Sequence, residues 1–176
     1  HSYISVLPYN ELGAAAAAYN ADEKELCRLD EIYSAVKTPF EIRSGLEKVT
    51  RRFFKICNNG RESFTGLYKS LTEQGICKGH QCIAYGLYMR DNGIELSEGL
   101  AVYGYSICSA IVTNCVKLVP LSQLAGQKIL GESFELISSA SGKALSTDIN
   151  DIGISGAGFD LRAMQHERLY SRQYMS

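Results

Sequence analysis

The chain has 176 residues, 45% hydrophobic and 21% charged, and its 18 Lys and Arg nearly balance 19 Asp and Glu for a net charge of −1. That balance argues against a nucleic-acid or anionic-membrane protein, which carries a basic excess. Apolar content is too high for a disordered chain, and the length suits one domain with its own core.

Helical spacing dominates the pattern. The alanine run at 14–18 reads as ordinary helix, because Ala is the strongest helix former. Leu26, Leu29, Tyr33 and Val36 recur every three or four residues, which predicts an amphipathic helix over 22–37. Thr38, Pro39 and Glu41 mark the next start, with Thr38 as cap, Pro39 in the first turn and Glu41 closing a capping box. That helix is expected to bury Ile42, Leu46, Val49, Phe53 and Ile56 and to end at Asn58-Asn59-Gly60, where Gly tolerates the left-handed conformation. Its other face carries Arg43, Lys48, Arg51, Arg52 and Lys55 and reads as solvated.

Phe64, Leu67, Tyr68 and Leu71 mark a helix stopped by Gly75, and a further helix is expected over 80–92. A long apolar helix over 97–119 is stopped by Pro120. Ser122 caps the next, with Leu124, Ile129, Leu130, Phe134 and Leu136 as expected core contacts. Gly153, Gly156 and Gly158 mark 146–158 as a flexible linker, and 159–176 as a short helical tail. The expected architecture is all-α, a single-domain bundle of about seven to nine helices. Its core spans 1–145, followed by the linker at 146–158 and a docking tail at 159–176 of the same domain.

Residues 99–116 hold no charge over 18 positions, the lower limit for a membrane-spanning helix. Tyr103, Tyr105, Ser106, Ser109, Thr113 and Asn114 make the stretch better suited to the central helix of a soluble bundle. The first ten residues include Pro8 and Asn10 and no cationic start, so no signal peptide is read there.

The six cysteines are Cys27, Cys57, Cys77, Cys82, Cys108 and Cys115. Four of them, Cys27, Cys57, Cys108 and Cys115, fall on helical patterns among apolar neighbours, which reads as buried free thiols in a reducing cytosol. Cys77, His80 and Cys82 lie within six residues but match no zinc spacing. They support a second reading, a small Cys/His metal-binding or redox protein. Gly-x-Ser-x-Gly, His-Glu-x-x-His, a Walker A loop and a dinucleotide fingerprint are all missing, so the chain is expected to be neither a hydrolase of those types, an NTPase nor a dehydrogenase.

Two polar segments resist explanation as core. One is Asn114-Cys115-Val116-Lys117-Leu118-Val119-Pro120-Leu121-Ser122-Gln123, with Gly126-Gln127 just after. The other is the terminal Gln165-His166-Glu167 with Tyr170-Ser171-Arg172, rich in the residue types of docking peptides. Together with His80, Tyr85-Gly86 and Gly93-Ile94, these resemble the UreF family of urease accessory proteins. The resemblance covers 78–176 well outside 138–158 and is weak over the first ~75 residues. A Pro-x-Gly-containing N-terminal family motif is absent, so the chain is expected to lack that segment and to be short for the family.

The resemblance implies a non-enzymatic, cytoplasmic, all-α homodimer that acts with UreH/UreD and the GTPase UreG to deliver nickel to apo-urease. Nickel and GTP would belong to the complex through UreG, with no cofactor on this chain, and neither nucleic acid nor membrane would be a partner. Partner contacts would fall to Lys117, Pro120, Ser122, Gln123, Gln127, Gln165, His166, Glu167, Tyr170, Ser171 and Arg172, with His80 and Gly86 as family motif residues.

Overall fold

The computed structural model describes residues 2–37, 39–57, 60, 62–119, 121–154, 157–166 and 168–169. Among these it holds nine α-helices and no strand. They are α1 (Glu11–Asn20), α2 (Glu23–Val36), α3 (Phe40–Ile56), α4 (Phe64–Glu73), α5 (Gln81–Asp91), α6 (Leu96–Leu118), α7 (Gln123–Glu132), α8 (Phe134–Ala144) and α9 (Ala157–His166), with 3₁₀ turns at Ile4–Tyr9 and Ile149–Asp151. The all-α, single-domain expectation therefore holds.

The core is built on the crossing of α1 and α5. Ala14, Ala15 and Ala18 are fully buried, and these short side chains let the two helix backbones approach closely. A Cβ added at Gly86 would stand 2.2 Å from the Ala15 carbonyl oxygen, so only glycine fits there. Leu7, Leu12, Leu26, Leu29, Ile83, Leu87, Met89 and Leu100 close around this crossing. Helix α2 begins with a reciprocal box: Asp22 Oδ1 accepts the Glu25 N–H at 2.8 Å, and Glu25 Oε2 accepts the Asp22 N–H at 3.0 Å.

Several expectations are corrected. Helix α3 buries only Thr50 and Phe54; Leu46 and Phe53 are half-buried, whereas Ile42, Val49 and Ile56 are exposed. Its apolar stripe is only partly covered: Phe53 packs against Tyr85 and Tyr88 of α5, while Ile42, Val49 and Ile56 stay exposed. Pro39 flanks α3 rather than entering its first turn. Thr38, Asn58 and Asn59 lie outside the described residues, while Gly60 has the expected left-handed φ of +85°.

In the α7–α8 hairpin Leu130 is buried and Leu136 half-buried, but Leu124, Ile129 and Phe134 are exposed. The two helices meet at Ser133.

The stretch read as a flexible linker is docked over 149–154. Ile152 is buried, the Gly153 N–H donates to the Tyr9 carbonyl at 2.7 Å, and Asn10 Nδ2 donates to the Ile154 carbonyl at 3.0 Å. Gly153 is there for close approach: its φ is +106°, and a Cβ would stand 2.3 Å from the Val36 side chain. Gly156 lies outside the described residues.

Helix α6 is long and apolar enough to cross a membrane by length and composition, with mean hydropathy 1.4 and 28% of that window buried. It is central only in its first half, where Gly99, Leu100, Tyr103, Gly104 and Cys108 are buried. Its outward face carries Ser106, Ser109, Thr113 and Asn114.

Candidate partner-docking site

His80 immediately precedes α5 and is buried. Its Nε2 lies 2.7 Å from Ser34 Oγ, its ring meets Tyr33 edge-on at 4.9 Å, and its backbone N–H donates to the Tyr68 hydroxyl at 2.8 Å. The Tyr68 hydroxyl donates in turn to Asp30 Oδ2 at 2.6 Å. The same carboxylate accepts the N–H groups of Lys78 at 2.7 Å and Gly79 at 3.1 Å, and Gly79 turns there with φ +88°. Burial lowers the His80 pKa below its ordinary 6.5 and favours the neutral ring. The motif histidine thus ties α2, α4 and α5 together, and Gly86 seats α5 on α1.

Ser34, Asp30 and Tyr68 were not anticipated as partners of His80. Asp30 did leave a signal: it sits on the same helical face as Leu26, Leu29 and Tyr33, an acid on an otherwise apolar stripe.

The Cys/His reading of 77–82 gains no geometric support. Cys77 Sγ meets Cys27 Sγ at 3.8 Å, His80 meets Ser34, and Cys82 meets Tyr33. Burial pushes the Cys82 thiol up to about 12 and raises Cys77 as well. Among the described residues no three His, Cys, Asp or Glu side chains are grouped to hold a metal. Cys115, expected in the core, is exposed.

The 114–127 segment forms the α6–α7 corner. Ser122 caps α7 as expected, its Oγ accepting the Ala125 N–H at 3.1 Å. A Cβ at Gly126 would stand 2.7 Å from Val116, so α7 packs tightly on the end of α6. Lys117, Ser122, Gln123 and Gln127 gather there, all exposed. Leu118, Val119 and Leu124 are exposed beside them and were not anticipated as surface. Pro120 lies outside the described residues.

The tail helix α9 buries none of its residues. Phe159 meets Tyr3 edge-on at 5.7 Å, and His166 Nδ1 lies 2.8 Å from Glu41 Oε2 on α3. Gln165 and His166 are exposed, as are Leu161, Met164 and Leu169. Glu167, Tyr170, Ser171 and Arg172 lie outside the described residues. The two candidate segments therefore rest on different elements, α7 on α6 and α8, and α9 on α3.

The UreF family model matches residues 4–133. The chain belongs to the UreF family. UreF of Actinobacillus pleuropneumoniae serotype 5b is 31% identical over 173 residues, covering 96% of this chain and 76% of that protein. UreF of Paenarthrobacter aurescens is 30% identical over 152 residues, covering 84% and 67%. UreF of Streptococcus thermophilus is 34% identical over 109 residues, covering 62% and 46%.

Each of these relatives is named a urease accessory protein. The UreF match begins near the start of the chain, so the resemblance is not confined to 78–176. Its N-terminal part holds α1 and α2, which pack in the same core as the motif-bearing α5. The match stops at residue 133 and so leaves out the α9 segment.

Proposed function

We propose that this chain is a non-catalytic, cytoplasmic scaffold of urease maturation. It docks UreH/UreD through the tail, recruits the GTPase UreG, and so helps deliver nickel to apo-urease. Nickel is the cargo and GTP the energy source of UreG, and this chain supplies the surface that holds the parts together. The observation that carries the reading is the UreF match over 4–133, joined to a terminal helix with no buried residue. Leu161, Met164 and Leu169 are the apolar contacts, and Gln165 and His166 the polar ones, that a docking helix needs. Glu167, Tyr170, Ser171 and Arg172 extend the same contact, and Lys117, Pro120, Ser122, Gln123 and Gln127 form a second one.

The chain acts as a homodimer in this reading. Support comes from a shallow groove of 480 Å³ along α6, lined by Val102, Tyr105, Ser106, Ser109, Ala110 and Thr113, where small side chains admit a second helix. Co-purification with UreH/UreD tests the proposal. The full chain retains that partner and a chain ending at residue 158 loses it; equal retention by both would refute the tail's role.

A further inference from the structure

Two of the six thiols meet. Cys27 Sγ on α2 lies 3.8 Å from Cys77 Sγ in the turn between α4 and α5, across 50 residues of sequence. Among the described residues no other two cysteine sulfurs are in contact. Neither His80 nor Cys82 takes part.

Backbone on both sides of Cys77 holds the pair in place. Cys27 and Asp30 are three residues apart and share a face of α2. The Asp30 carboxylate accepts the N–H groups of Lys78 at 2.7 Å and Gly79 at 3.1 Å, the two residues that follow Cys77. From the other side, the N–H groups of Ile76 and Cys77 both donate to the Leu71 carbonyl in the last turn of α4, at 3.0 and 3.2 Å. Gly75 and Gly79 carry the two left-handed corners of the turn, with φ +75° and +88°. The turn thus presents Cys77 to Cys27 before any bond forms. Closing from 3.8 Å to the ~2.05 Å of a disulfide moves each sulfur by about 0.9 Å.

Access differs between the two thiols. Cys27 is half-buried and open to a small reagent, while Cys77 is 2% exposed. Burial raises the Cys77 thiol pKa, which keeps it protonated and makes closure slow, on the order of hours.

We propose that Cys27 and Cys77 form a reversible redox site, closed to a disulfide by a small-molecule disulfide of the glutathione class. The Cys27 thiolate attacks one sulfur of the oxidant, the oxidant's S–S bond breaks, and the first small thiolate leaves and takes up the proton that Cys27 released. Cys77 then attacks Cys27 Sγ, the mixed disulfide breaks, and the second small thiol leaves with the Cys77 proton. Two protein thiols lose two electrons, and one small disulfide gains them and becomes two thiols. The new bond ties α2 to the turn that leads into His80, and so locks the frame that the motif histidine joins. The site involves neither the tail nor the α6–α7 corner, so it stands or falls apart from the urease reading.

Incubation of the folded full chain with oxidised glutathione tests this. Free thiols are then alkylated, and the unreduced tryptic peptides are mapped by mass spectrometry. The peptides holding Cys27 and Cys77 are expected as one linked pair, which dithiothreitol separates. Oxidation is expected to raise the thermal midpoint by about 5 °C or more through closure of the 50-residue loop. Under the same treatment Cys77→Ser stops the reaction halfway, with glutathione retained on Cys27 and no rise in the midpoint. A stable glutathione adduct on Cys27 of the parent chain, no linked pair, links spread equally over Cys57, Cys82 and Cys115, or a midpoint unchanged or lowered by the link would overturn the proposal. The peptide map uses the parent sequence, so it decides the matter even where the variant does not fold.

Discussion

His166 Nδ1 and Glu41 Oε2 stand 2.8 Å apart across 125 residues of sequence, joining the end of α9 to the first turn of α3. Both side chains are partly exposed, 50% and 30%, so the pair contributes at most about 1 kcal/mol. Its role is placement of the tail rather than stability of the bundle. Glu41→Gln is expected to leave the thermal midpoint within about 2 °C of the parent while speeding proteolytic cleavage within 157–169. Limited proteolysis followed by mass spectrometry checks this, and unchanged cleavage would show that other contacts hold α9.

Gly86→Ala is expected to be severe. The added methyl would meet the Ala15 carbonyl at 2.2 Å, and backbone cannot move aside as a flexible side chain does. Loss of about 1–3 kcal/mol or more follows from overpacking. Gly142 on α8 makes the control, since a Cβ added there would meet nothing within 4 Å. Gly142→Ala is expected to stabilise by roughly 0.5–1 kcal/mol through helix propensity alone. Urea unfolding of both variants compares them directly.

Much of this framework was legible in the sequence. Helical spacing located α2, α4, α5 and α6 to within a residue or two, because periodicity and caps act locally. The same spacing misassigned the stripe of α3 and three side chains of the α7–α8 hairpin. A periodic pattern shows that a helix has an apolar face; it does not say whether the chain itself or a partner covers it. Within 146–158, Gly153 serves a close contact with Val36 that sequence separation conceals. At the candidate site, the exposed positions of Lys117, Gln123 and Gln165 follow from polarity, but Ser34 and Asp30 beside His80 depend on long-range packing.

Neutral His80 makes stability depend on pH. Burial lowers its folded pKa below the ordinary 6.5, so the unfolded chain binds the proton more readily. The stability this contributes is complete above about pH 6.5 and is lost as pH falls from there through the lowered folded value. His80→Gln removes that slope. Thermal midpoints from pH 5 to 8, as wild type minus variant, are expected to fall on acidification below about 6.5, and a flat difference would contradict it.

Thiol reactivity follows exposure. Cys115 is exposed, whereas Cys82 is buried with its thiol pushed up to about 12. A thiol-disulfide reagent at mild alkaline pH is expected to label Cys115 first and Cys82 and Cys77 only on unfolding. Cys115→Ser then abolishes the fast phase. A fast phase that survives this change and maps to Cys77 would revive a redox reading of 77–82.

The central claim is that this chain activates urease as a scaffold whose tail is a docking element. Urease activity and nickel content, measured in cells that lack the protein, test it most directly. The full chain is expected to restore both, and a folded chain ending at residue 158 to restore neither. Full activation by the shortened chain, or none by the full one, would contradict the account.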